Sequence, residues 1–291
     1  MAVAHIFQQI RKAITQLNPH EVREAAERPL VVRLVAPSET AYEEMESFLL
    51  PDGMSRRRLD EIRRYLRWGG EEAASRDELV IYHLDSPGPA GRFLFDPRLP
   101  AALVRRVLAA RQDLALALAR CFPPFREPVT EGIINTISRE NALFSLTTAL
   151  PNILPGLMTV PLSITEAASD TVVLTVNQIR MAFLLAAASD RDLGYGAQRT
   201  EIASLIAGAF GWRALARELA GKISFGGGLI PKAAIAFAGT YVVGRSLERY
   251  YRIGYGFTRA ERREAYEEAF ERGKQVAAAL LNGLRKPQQR D

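Results

Sequence analysis

The sequence predicts an α+β chain that is mostly α, with an apolar multi-helix C-terminal domain and a small N-terminal α/β layer. Three observations carry this. The 25 residues from Asn141 to Thr165 hold no ionisable side chain, and Leu, Ile, Phe, Val and Ala recur through them. A second apolar passage, Thr171 to Ser189, is broken by a single charge at Arg180. Ahead of both, Leu30-Val-Val-Arg-Leu-Val35 and Leu79-Val-Ile-Tyr-His-Leu84 are β-branched enough for strands, and each runs on into helical periodicity.

The elements follow in order. Val3, Ile6, Phe7, Ile10, Ile14 and Leu17 recur at helical spacing among polar residues, an amphipathic first helix. Asn18, Pro19 and Glu21 are cap, first position and capping-box carboxylate of a second helix reaching about Arg28. After the first strand, Ser38 or Thr40 caps a helix carrying Tyr42, Met45, Phe48 and Leu49, turned off by Pro51-Asp-Gly53. Leu59, Ile62, Tyr65 and Leu66 extend another helix to Gly69-Gly70. Phe93 to Phe95 is a short extended piece after the second strand, and Leu99 to Arg120 reads as one long helix.

The three prolines between Phe122 and Pro128 predict a linker. Beyond it the expected helices are Val129–Ser138, Ala142–Leu150, Leu157–Ala168, Thr171–Ala188, Arg199–Ala220 and Pro231–Tyr250, with breaks at Pro151, Pro155 and Pro161 and a hinge at Gly226-Gly-Gly228. Small residues four apart, such as Ala236, Thr240 and Gly244, stack on one face and let another backbone come close. Thr258 with Glu261 opens a last, water-exposed amphipathic helix whose stripe runs from Tyr266 through Phe270 and Ala277 to Leu284, with Glu268 and Arg272 one turn apart. The domains are therefore 1–28 (N-terminal helices), 29–121 (small α/β domain), 129–256 (apolar helical domain) and 257–284 (amphipathic C-terminal helix).

Composition narrows the chemistry. One cysteine, Cys121, excludes an intramolecular disulfide and a cysteine-rich zinc site, and it reads as a small buried hydrophobe. The 38 Lys plus Arg against 33 Asp plus Glu are a mild excess, too slight to indicate nucleic acid as a partner. His5, His20 and His83 have no second ligand at metal spacing, no serine sits in a nucleophile elbow, and paired carboxylates lie on charged helix faces. After the first strand, Ala36-Pro-Ser-Glu-Thr-Ala-Tyr42 lacks both glycines and the lysine of a phosphate loop. No catalytic residue, nucleotide-binding residue, metal or cofactor is expected.

The N-terminus lacks the long apolar core of a signal peptide, so no exported or organellar destination is indicated, although internal spans can act as their own insertion signals. Helices as apolar as those after Pro128 must be buried all round, in protein or in lipid. Arg180 at a bilayer centre would cost roughly 2.5–3.5 kcal/mol, whereas in a soluble bundle it pairs with Glu166 or Asp170. The residues leave both solvents open. Asn177, Gln178 and Arg180 form the candidate polar interaction or packing site, because polar groups on an apolar helix need a neighbour to satisfy them.

Val172-Val-Leu-Thr-Val-Asn-Gln-Ile-Arg180, Ile206 to Ala220 and Pro231 to Leu247 resemble an uncharacterised bacterial helical domain, over roughly Glu131 to Tyr251. In that family the domain often follows an Era-like GTPase domain or occurs in inner-membrane proteins. The resemblance implies that residues 29–121 are a degenerate GTPase-like layer, with Asp85, Pro87 and Gly88 of Leu84-Asp-Ser-Pro-Gly88 standing where such proteins carry a DxPG turn, although an ordinary turn over Asp85 to Gly91 is the favoured reading. No NKxD element follows, and catalysis carries over to no residue. The expectation is a non-catalytic, membrane-associated scaffold or regulatory protein on the inner membrane or its cytoplasmic face, with membrane lipid or a membrane protein as partner. A cytoplasmic helical protein-interaction module, forming a homo-oligomer or binding a protein partner through its first or last helix, is the alternative; a divergent GTP-binding protein ranks third.

Overall fold

A computed structural model describes residues 8–10, 13, 17–69, 78–148, 170–205 and 228–285. The chain is mostly α with a small parallel sheet, and it divides into two compact units. One comprises His20–Glu131 with Ala187–Arg191; the other comprises Met1–Pro19, Gly132–Ala186 and Asp192–Asp291. The predicted helix Leu157–Ala168, the breaks at Pro151, Pro155 and Pro161, the run 206–220 and the glycines Gly226 and Gly227 lie outside the described residues, as does most of the first helix.

The first unit is a parallel α/β layer. Its elements are α1 (Pro19–Ala26), β1 (Val31–Val35), α2 (Glu39–Leu49), α3 (Arg56–Arg63), β2 (Leu66–Trp68), β3 (Glu78–His83), β4 (Phe93–Phe95), α4 (Pro100–Ala110) and α5 (Ala115–Cys121), with the start of α6 (Pro123–Thr147). The strands lie in the order β2-β1-β3-β4, every pair parallel. Val32 and Leu34 of β1 and Leu79 and Ile81 of β3 are buried, as the central strands of a parallel layer require. Ser38 caps α2 by accepting from the Ala41 amide at 3.2 Å, and Ser55 caps α3 through Arg58.

Four expectations fail here for physical reasons. Leu66 continues the spacing of Ile62, yet the helix stops at Arg63 and Leu66–Trp68 joins the sheet in register with Val32–Leu34. Edge pairing outweighs the last half-turn of helical period. Leu99–Arg120 is not one helix: Arg111 leaves the helical region at φ −126° and pairs with Asp113 at 3.0 Å, a contact between residues two apart that a straight helix cannot make. The stretch Phe122–Pro128 is no linker. Pro123 and Pro124 occupy the first turn of α6, where amides have no helical partner anyway, and Phe122 and Phe125 are fully buried. The separate helices expected at Val129–Ser138 and Ala142–Leu150 are merged into α6 up to Thr147.

The second unit is helical: α6 from Gly132, α7 (Asp170–Ala188), α8 (Leu229–Ile253) and α9 (Arg259–Arg285), with a further helical stretch at 199–205. Ala142 and Leu146 of α6, Ala233 and Phe237 of α8, and Ala277 and Leu281 of α9 form one buried cluster; Ala238, Val242, Tyr266 and Phe270 form the next along α8 and α9. Small residues set the spacing. A Cβ at Gly244 would lie 2.8 Å from Ile134 and 2.9 Å from Met181, and one at Gly273 would lie 2.9 Å from the Ala234 carbonyl oxygen. The capping box forms as spelled: the Thr258 amide donates to Glu261 at 2.8 Å and the Glu261 amide donates to Thr258 Oγ1 at 3.3 Å. Arg272, one turn from Glu268, donates to Asn135 and to Tyr241.

Two outcomes test this packing. Gly273→Ala drives a methyl into the α8 backbone and should cost about 1–3 kcal/mol, whereas Gly283→Ala, with open space around it, should stabilise by about 0.5–1 kcal/mol through helix propensity; paired thermal melts read both. The Glu261 carboxyl is held down to about 2, chiefly by its hydrogen bond from Arg249 and then by the Thr258 amide. A depressed folded value means stability present above the unfolded carboxylate range and lost as pH falls through about 2. The stability gap between wild type and Glu261→Gln should therefore close progressively from about pH 5 downward.

Candidate functional site

Helices α6, α7 and α8 bring their buried polar side chains to one place. Asn141 Nδ2 donates to Thr240 Oγ1 at 2.7 Å, Asn177 Nδ2 donates to Asn141 Oδ1 at 2.7 Å, and Gln178 Nε2 reaches the same Thr240 oxygen at 3.4 Å. All four residues are buried, Asn141 completely. An amide taken from water without partners costs about 1–3 kcal/mol, so the three helices are held in one register by mutual satisfaction. Beside this network Arg180 donates to Glu140 Oε2 at 2.6 Å, both side chains half-buried.

The structure therefore places Asn177 and Gln178 in one network and Arg180 in an ion pair alongside it. Their partners come from elsewhere in the chain. Spacing along the sequence suggests Glu166 or Asp170 for Arg180; the structure supplies Glu140, forty positions away. Asn141 and Thr240 were legible only as uncharged polar residues within apolar helices. That interruption was their one signal.

The DxPG-like turn lies in the α/β unit, after β3. Asp85 is exposed at its side chain, and its amide donates to His83 Nδ1 at 3.2 Å. With that nitrogen accepting, a neutral His83 carries its proton on Nε2, which faces Glu44 at 3.5 Å. Gly88 has Tyr82 and Arg92 where a Cβ would go, the nearest Tyr82 atom at 2.6 Å, and its carbonyl accepts from Arg92 at 3.0 Å. Pro87 sits between Gly88 and Ser86, whose buried hydroxyl donates to the Val35 carbonyl at 2.9 Å. In this sheet the chain leaves β1 toward β2 on one side and β3 on the other, which makes the ends of β1 and β3 the switch point where ligands of such layers bind. Ser86 bridges those two ends, and Ser38 beside them is engaged in capping α2.

Sequence reasoning missed a charge cluster in the same unit. Asp190, in the left-handed region at φ 56°, takes Arg58 at 2.8 Å and Arg120 at 3.6 Å. Burial raises its carboxyl above the usual range despite the guanidinium groups of Arg58, Arg120 and Arg126. Burial also pushes the nearby Cys121 thiol up to about 11, which keeps it protonated and unreactive at neutral pH. Among the described residues no group of His, Cys, Asp and Glu has the arrangement of a metal site.

Comparisons of the chain with protein-family models, with curated proteins and with solved structures find no match. What geometry defines is a helical packing unit stitched by a buried amide network.

The network has a direct test. Asn141→Leu leaves Asn177 without its partner and Thr240 with only the longer contact from Gln178, and should cost about 2–4 kcal/mol by denaturant unfolding. Combining it with Asn177→Leu, Gln178→Leu and Thr240→Val, so that none of the network's four side chains is left waiting, should recover part of that loss.

Proposed function

We propose that this protein is a non-catalytic scaffold or regulatory protein that works at the membrane, in the inner membrane or on its cytoplasmic face. The observation that carries the reading is α7: Thr171–Ala188 is an 18-residue stretch of mean hydropathy 1.5, long and apolar enough to cross a bilayer. The uncharged run Asn141–Thr165 precedes it in sequence and adds apolar length, and the resemblance of residues 131–251 to a helical domain of inner-membrane proteins agrees. The non-catalytic clause rests on the missing phosphate loop, on Ser86 bridging the sheet's switch point, and on a cysteine whose thiol burial keeps protonated. The buried amides of Asn141, Asn177 and Gln178 are engaged with one another and with Thr240, which suits packing better than chemistry.

One observation favours a second reading, a soluble helical interaction module: 78% of that same α7 stretch is buried inside the protein. In this reading the bundle itself is the water-free environment. The partner surface would not be the apolar stripe of α9, because Tyr266, Phe270, Ala277 and Leu281 are already buried, packed with α8.

Fractionation separates the two. The full chain expressed in bacteria should pellet with the membrane fraction and, if α7 and its neighbours are inserted, resist alkaline carbonate; peripheral attachment would be released by carbonate. Complete recovery in the soluble fraction without detergent would remove the membrane clause and leave the interaction module.

A further inference from the structure

We propose that the turn joining α8 to α9 is a docking tip for an anionic phospholipid surface. The inference rests on the membrane reading above and names the contact through which it operates. Between Arg249 and Arg263 five arginines stand against one carboxylate, Glu261. That carboxylate is engaged by Arg249 at 2.7 Å and by the Thr258 amide, and Arg263 pairs with Glu267 at 3.4 Å, so the charges the tip offers are those of Arg252, Arg259 and Arg262. Arg252, Arg259, Arg262 and Arg263 are exposed. Between them Tyr250, Ile253 and Tyr255 are also exposed, Tyr255 at 59%, and these three belong to the few large hydrophobic side chains that the described residues leave open to solvent.

The tip is built rather than loose. Gly254, at φ +88°, ends α8 in the left-handed conformation, and its amide closes on the Tyr250 carbonyl at 2.8 Å. Gly256 then passes so close to Ser246 that a Cβ would lie 2.6 Å from its hydroxyl, while the Phe257 amide donates to that hydroxyl at 3.0 Å. Arg249 lies over the rings of Tyr255 and Phe257, at 5.0 and 5.5 Å, and fixes both. The chain is thereby folded back on α8 with Ile253 and Tyr255 displayed at the bend.

Arginine interleaved with tyrosine and one aliphatic residue is the composition that suits a headgroup layer. Guanidinium groups pair with phosphate, tyrosine rings sit at the level of the polar heads, and the aliphatic side chain reaches the acyl boundary. A water-exposed face that only needed solubility would gain nothing from Ile253 and Tyr255. A duplex nucleic acid would use the arginines alike and takes an aliphatic side chain only as a wedge between base steps, whereas a lipid layer takes it at the acyl boundary.

The test uses the purified full-length chain sedimented with phosphatidylcholine vesicles, with or without phosphatidylglycerol. Binding should require phosphatidylglycerol. Removing three exposed charges together, Arg252→Gln, Arg259→Gln and Arg262→Gln, should weaken it on the order of a hundredfold, since each arginine near an anionic surface contributes about fivefold. Ile253→Ser should weaken the part of binding that survives added salt. The matched triple variant Arg64→Gln, Arg67→Gln and Arg105→Gln, all exposed elsewhere, should bind as wild type. Circular dichroism of each variant separates loss of binding from loss of fold. If the tip variants bind like wild type, or if wild type ignores these vesicles yet pellets with native membranes, the docking assignment is overturned while the membrane reading stands. If duplex DNA binds as tightly as the vesicles and Ile253→Ser changes neither, the tip is a general polyanion surface and the lipid assignment is wrong. Failure to bind vesicles together with full solubility in cells would overturn both.

Discussion

An amide buried without a partner costs more than most packing contacts return, and the helical unit is arranged around avoiding that cost. Asn141, Asn177, Gln178 and Thr240 come from three helices whose other faces are mostly apolar. Leu, Ala and Val would let those helices slide past one another, because dispersion contacts are non-directional. Hydrogen bonds at 2.7 Å would not. Close approach then depends on the small residues nearby: Gly244 fits against Ile134 and Met181 only because it has no side chain, and Gly273 admits the α8 backbone in the same way. The amide network selects the register, and the glycines set the distance.

The same constraint bears on which solvent surrounds the unit. A polar network inside a bundle is satisfied equally well in water or in lipid, so its presence selects neither. What distinguishes the two is the outer surface. α7 turns most of its apolar stretch inward, yet the bend between α8 and α9 turns tyrosine, isoleucine and arginine outward. This outward arginine-tyrosine bend is the observation on which the proposed docking rests.

At the switch point of the α/β unit the side chains of Ser86 and Ser38 are already engaged. In a parallel layer with this strand order the crevice lies beyond β1 and β3, where backbone amides would otherwise be free. Here Ser86 joins the two strand ends, Ser38 serves its own helix, and Gly88 lets the turn fold against Tyr82. Asp85, Pro87 and Gly88 thus shape a turn around His83.

Local chemistry made much of the fold legible. β-branching placed β1 and β3, the capping box placed α9, and a serine before an apolar period placed α2, because each depends on residues within a turn of one another. Polar residues inside apolar helices marked Asn177, Gln178 and Arg180 for the same reason. The sequence could not show what those residues touch. β2 is only three residues long and exists through its pairing with β1; the break at Arg111 follows from a side-chain pair; Arg180 finds Glu140 rather than a neighbour along the chain. The sequence by itself determined β1, β3, α2 and α9 and the need of the later helices for dry surroundings, since those follow from β-branching, hydrophobic period and caps. Only tertiary structure decided the partners, because a buried polar group is satisfied by whichever helix arrives beside it, at any distance in the chain.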